Sequence, residues 1–130
     1  MSNLPLFAVV DDDEAMREAL ADLIEVFDFD CCTFDGSESF MEAYQPKRFV
    51  ALITDLNLLG ESGWQLQKRL FRIDPSFPVI IISAQGDAAT RARALSTGAL
   101  AYLTKPLDDM LLLKHLQGVL DDRATAVGQC

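Results

Sequence analysis

Residues 50–55 read Val50-Ala51-Leu52-Ile53-Thr54-Asp55, a short apolar run that ends on a carboxylate. The pattern recurs along the chain. Leu6-Phe7-Ala8-Val9-Val10 runs into Asp11-Asp12, Val79-Ile80-Ile81-Ile82 into Ser83, and Ala101-Tyr102-Leu103-Thr104 into Lys105. Apolar runs this short read as strands buried on both faces, the signature of a parallel sheet covered by helices. The carboxyl ends of such strands open on one crevice, where ligands bind. One pocket is therefore expected to gather Asp11, Asp12, Asp55, Ser83 and Lys105.

Helical periodicity fills the spaces between the runs. Met16, Leu20, Leu23, Ile24 and Phe27 predict a helix over 15–27. A weak strand over 30–34 follows, with Cys31, Cys32 and Phe34 apolar, and belongs at a sheet edge. Ser37 is expected to cap a helix that Pro46 closes, and Ser62 one that holds Leu66, Leu70 and Ile73. Asp87 is expected to cap a fourth helix over 88–97, with Gly98 as its C-cap residue and an alanine-rich inner face of Ala88, Ala92 and Leu95. That face buries little area, so this helix is expected to be the least firmly anchored. The last helix, over 108–120, turns Leu112, Leu113, Leu116, Val119 and Leu120 inward. Five strand–helix units joined by right-handed crossovers give an α/β three-layer sandwich with the flavodoxin-like strand order 2-1-3-4-5. The domain is expected to span 1–120, with a short polar tail at 121–130.

Composition narrows the function. A chain of 130 residues is one domain's worth, and its net charge of −9 argues against a nucleic-acid surface. No segment has the apolar length of a membrane helix, and the N-terminus lacks the pattern of a signal peptide. Three cysteines, two of them adjacent, give no disulfide framework and suit a reducing cytosol, so a cytoplasmic location is expected. The single histidine, His115, lies on the last helix and receives no catalytic role.

Three carboxylates in one pocket repel; two unit charges 4 Å apart interact by roughly 4 kcal/mol at an effective dielectric near 20. Such a site must raise a pKa or bind a cation. Oxygen donors alone suit Mg²⁺. A carboxylate can also act as the nucleophile and form an aspartyl phosphate. Mg²⁺ and Lys105 would then neutralise the phosphoryl group while the Ser83 hydroxyl bonds one of its oxygens. Taken alone, Asp11-Asp12-Asp13-Glu14 reads as a solvated charge run at a helix start, and Asp13 and Glu14 keep that reading.

With these motifs in order, the chain resembles the receiver domain of two-component response regulators. The resemblance covers about residues 6–120. It rests on Val9-Val10-Asp11-Asp12, on Asp55 through Gly63, on Ile82-Ser83-Ala84 and on Lys105-Pro106. It implies that Asp55 accepts a phosphoryl group from a histidine kinase or phosphotransfer protein. It further implies that Asp11, Asp12, Asp55 and the backbone carbonyl of Asn57 arrange Mg²⁺, and that Ser83 and Lys105 read the phosphoryl. Tyr102 stands where the family places its switch aromatic, expected to turn inward on activation, and the Lys105-Pro106 bond is expected to be cis. The implied output is protein binding through the fourth helix, fifth strand and fifth helix, with a homodimer among the partners allowed. No turnover on an external substrate is implied beyond the domain's own phosphorylation and dephosphorylation. One position departs from the pattern: Leu59 stands where the family usually has proline.

Rival readings meet specific obstacles. A phosphatase of the haloacid-dehalogenase type needs an acid two residues after its nucleophile, where Asn57 stands. A flavin or nucleotide module needs a glycine-rich loop, and the loop after the first strand is Asp11-Asp12-Asp13-Glu14. A pseudo-receiver that binds partners without phosphorylation would not require the full acid set, Ser83 and Lys105. The chain also reads as the receiver half of a longer DNA-binding regulator.

Overall fold

The computed structural model describes residues 4–58, 61–84 and 86–128, with the backbone alone for 122–128. The elements are β1 (Leu6–Val10), α1 (Glu14–Val26), β2 (Asp30–Phe34), α2 (Ser37–Ala43), β3 (Ala51–Asp55), α3 (Gly63–Ile73), β4 (Val79–Ser83), α4 (Ala88–Ser96), β5 (Ala101–Thr104) and α5 (Asp109–Gly128). The strands form one parallel sheet in the order β2-β1-β3-β4-β5, the flavodoxin-like arrangement expected.

Alternation along each strand feeds two cores. Phe7, Val9, Ile53, Ile80 and Ile82 meet Leu20 and Ile24 of α1 and Leu112, Leu116 and Val119 of α5. Ala8, Val10, Leu52 and Ile81 meet Phe40 of α2, Leu66 and Leu70 of α3 and Ala94 of α4. Each fully buried Ile or Leu stabilises the fold by about 1.5–3 kcal/mol. Strand β2 is the half-buried edge expected of it, and it sends Cys31 and Cys32 to opposite cores. Burial chiefly, then the neighbouring Cys32 and Glu25, pushes the Cys31 thiol up to about 12, so it is a packing residue. Among the described residues no helix is long and apolar enough to cross a membrane.

Most caps follow the sequence. Asp13 caps α1 by accepting the Ala15 N–H, Asp87 caps α4 by accepting that of Thr90, and Ser62 and Gln65 form a capping box on α3. At the end of α4 the C-cap is Thr97 and not Gly98, which follows it with φ +103°, a conformation only glycine adopts freely.

Several expectations need correction. Gly36, not Ser37, is the N-cap of α2; Ser37 is the buried first helical residue, and Ser39 Oγ makes the local bonds to Asp35 and Gly36. Helix α4 is rotated so that Ala94, not Ala88, Ala92 or Leu95, is buried; Thr97–Gln67 and Arg91–Tyr102 bonds on its two flanks set that rotation. Ile73 falls in the last turn of α3, past the packed face, and is 55% exposed. Helix α5 continues to Gly128 instead of ending at Leu120, since no proline or glycine interrupts residues 121–127. Leu59 and Gln85 lie outside the described residues.

Candidate functional site

The ends of β1 and β3 set two carboxylates side by side, and the end of β5 sends a cation between them. Asp11, the residue after β1, is 1% exposed. Its N–H donates to the Phe34 carbonyl, its Oδ1 accepts the Asp13 N–H at 2.9 Å, and its carbonyl accepts Arg17 Nη1 at 2.7 Å. Asp55 ends β3 and is 7% exposed; its Oδ1 accepts the Asn57 N–H at 2.9 Å. Lys105 Nζ lies 2.6 Å from Asp55 Oδ2 and 3.7 Å from Asp11 Oδ2. Asp12 is exposed at the rim.

The electrostatics record the crowding. Burial chiefly holds the Asp11 carboxyl above its ordinary value; Asp55 and Asp12 push the same way, and the Asp13 N–H and Lys105 oppose them. For Lys105, burial disfavours the ammonium, but the hydrogen bond to Asp55 and the charges of Asp55 and Asp11 outweigh it, so the net shift is upward. One ammonium therefore serves two sheltered carboxylates and leaves the group net negative.

The backbone around Asp55 is tightly tied. Thr54 Oγ1 donates to the Asp55 carbonyl, Leu56 N–H to that of Ile82, and Gly63 N–H to that of Leu56 at 2.7 Å. A Cβ on Gly63 would stand 2.7 Å from the Asp55 carbonyl oxygen and 3.0 Å from Leu56 Cα, so α3 can begin here only with glycine. Ser83 ends β4, fully buried, and its carbonyl accepts the Lys105 N–H at 2.9 Å. The Lys105-Pro106 bond is cis, as expected.

Tyr102 differs from expectation. Its ring is already inside, 1% exposed, so no inward turn is left for it to make. It fills the space that the small inner face of α4 leaves, beneath the Arg91 guanidinium at 5.5 Å, and Arg91 Nη1 donates to its carbonyl at 3.1 Å.

Lys105 reaches both Asp11 and Asp55, Ser83 stands at the adjoining strand end, and Asp12 and Asn57 lie at the exposed mouth. The acidic donors are oxygens only, which fits Mg²⁺. Among the described residues no three acidic, His or Cys side chains close into a complete metal cage, so a cation here would complete its shell with water and phosphate oxygens. Sequence reasoning missed Arg17 and the role of Gly63. Gly63 had a signal, a glycine just inside a capped helix; Arg17 had none beyond being one cation in an acidic stretch.

Comparison with known proteins gives one family. The family model described as the response regulator receiver domain matches residues 7–117. The chain is 30% identical over 112 residues to the transcriptional regulatory protein FixJ of Bradyrhizobium diazoefficiens, covering 86% of this chain and 55% of that one. It is 34% identical over 100 residues to the DNA-binding transcriptional regulator NtrC of Escherichia coli K12, covering 77% of this chain and 21% of NtrC. The chain thus spans about half of FixJ and a fifth of NtrC. A crystal structure of a response regulator receiver domain protein from Clostridium thermocellum superposes with a TM-score of 0.88 at 22% identity, covering 95% of this chain and 99% of that one, which speaks to the fold alone.

Proposed function

The chain belongs to the response regulator receiver domain family, and on that premise we propose that Asp55 accepts a phosphoryl group from a histidine kinase or phosphotransfer protein. The observation that carries this reading is Lys105 Nζ, 2.6 Å from Asp55 Oδ2 and 3.7 Å from Asp11 Oδ2. An Asp55 oxygen attacks phosphorus, the donor's bond to phosphorus breaks, and its electron pair leaves with the donor. Asp55 enters as the carboxylate, so it surrenders no proton. Lys105 follows the charge onto a phosphoryl oxygen, and the Ser83 hydroxyl bonds another. Asp11, Asp12, Asp55 and the Asn57 carbonyl would hold Mg²⁺, which supplies charge neutralisation to the transferring group.

The domain acts as a switch and turns over no external substrate. Its output is a population shift of the face formed by α4, β5 and α5, with Ser83 at the entry to α4 and Tyr102 packed beneath it. That face binds a downstream protein or a second copy, and the domain works in the cytoplasm without contacting nucleic acid or membrane. A second reading, that this is the receiver half of a longer DNA-binding regulator, is favoured by the relatives' greater length and their names as transcriptional regulators.

Acetyl phosphate with Mg²⁺ tests the first reading. One phosphoryl mass should be added, and Asp55→Asn or chelation of the metal should abolish it. Full labelling of Asp55→Asn would sink the assignment. An unlabelled wild-type protein that still binds a partner would favour the pseudo-receiver.

A further inference from the structure

Residue 11 is pinned at three points. Its N–H donates to Phe34 of β2, its carboxylate accepts the Asp13 N–H, and its carbonyl accepts Arg17 Nη1 at 2.7 Å. The third tie is the unusual one. Arg17 is half-buried on α1, with Asp13, Glu14 and Glu18 as its helix neighbours. Among the described residues it forms an ion pair with none of them. A guanidinium set among carboxylates is instead spent on one backbone oxygen.

That oxygen belongs to the peptide plane joining Asp11 to Asp12. The plane is rigid, so fixing its oxygen fixes the direction in which the chain leaves for Asp12. Asp12 is exposed, so the backbone that carries it does most to set where its carboxylate stands. We propose that Arg17 is a positioning residue for the divalent cation: through the Asp11 carbonyl it sets the placement of the Asp12 carboxylate relative to Asp11 and Asp55. Arg17's role rests on the proposed magnesium-binding role of Asp12.

Charge and position make opposite demands here, which gives the test its sign. As a bare positive charge near the site, Arg17 repels Mg²⁺, and removing it should tighten binding. As a positioning group, it orients a ligand, and removing it should weaken binding by about tenfold, the lower end for groups that orient metal ligands. Calorimetric Mg²⁺ titrations of wild type, Arg17→Met, Arg17→Lys and Asp12→Asn separate the cases. Arg17→Met keeps the aliphatic stem. Arg17→Lys keeps a donor for the carbonyl and should restore most of the affinity; should Arg17→Met fail to fold, Arg17→Gln, which also removes the charge, takes its place, with tenfold weaker binding supporting the role and unchanged or tighter binding overturning it. In metal-free Arg17→Met the Asp13 amide should also exchange faster, because its partner Asp11 is no longer held. Wild-type binding that Asp12→Asn removes, together with unchanged or tighter binding by Arg17→Met, overturns the role of Arg17 and leaves the magnesium reading intact. No Mg²⁺ binding by the wild type removes both. Arg17→Lys no better than Arg17→Met also overturns it.

Discussion

Lys105 Nζ stands between Asp55 Oδ2 and Asp11 Oδ2, at 2.6 and 3.7 Å, so one ammonium serves two carboxylates that have little access to water. Replacing it by Lys105→Met keeps the stem and strands both charges. The cost should be about 1–3 kcal/mol, below that of breaking a fully buried pair because the Lys105 side chain is 28% exposed. Thermal unfolding should show the loss in metal-free buffer and a smaller loss with Mg²⁺ present, since the bound ion replaces the missing charge. Equal melting temperatures in metal-free buffer would contradict this.

Gly63→Ala should be far more damaging than an alanine at a helix start normally is. The added methyl meets the Asp55 carbonyl oxygen and Leu56 Cα, backbone atoms that cannot swing aside. A destabilisation of about 1–3 kcal/mol is expected from the overpacking. Urea unfolding measures it, and labelling by acetyl phosphate should slow in parallel because the strain falls on the backbone of Asp55. A variant with the wild-type urea midpoint would show that α3 can shift freely.

His115 gives a pH dependence unconnected with the site. Burial chiefly, with Lys114 adding to it, lowers its pKa below the ordinary 6.5. The unfolded chain therefore takes up the proton first as pH falls, and stability drops from 6.5 down to the folded-state pKa, below which the loss is complete. His115→Gln should lose less stability than wild type between pH 7.5 and 5.5, a window of roughly two units around the free histidine value. Parallel melting curves for the two proteins would refute the assignment.

Arg91→Ala should loosen α4. This helix buries only Ala94, and Arg91 supplies both a bond to the Tyr102 carbonyl and a cation over its ring. Losing about 1 kcal/mol of these contacts should speed amide exchange along α4 roughly fivefold, with α1 unchanged. Ser83→Ala should still take a phosphoryl group at Asp55 but lose most of the beryllofluoride-induced NMR shifts in 86–102. Undiminished shifts in that variant would break the proposed link from Ser83 to α4.

The strands and their order were legible because each apolar run stops abruptly at a polar residue, and of the two common doubly wound orders the flavodoxin-like one brings Asp11 beside Asp55. The same abruptness placed Lys105 at the site. Face and rotation were harder to read. The inner face of α4 is decided by side-chain bonds at Gln67–Thr97 and Arg91–Tyr102, which involve partners 30 and 11 residues apart. Ser37 looks like a cap locally, yet the buried turn takes it into the helix and leaves Gly36 outside. Arg17 was invisible for another reason. Its partner is a backbone oxygen, which any residue at position 11 would carry.

The most direct test of the central claim is to locate the phosphoryl group chemically. Borohydride reduces an acyl phosphate to the alcohol with release of phosphate, so phosphorylated aspartate becomes homoserine. Protein treated with acetyl phosphate and Mg²⁺, reduced and digested, should carry homoserine at position 55 and nowhere else. Homoserine at position 11 or 12, or its absence despite added phosphoryl mass, would contradict the account.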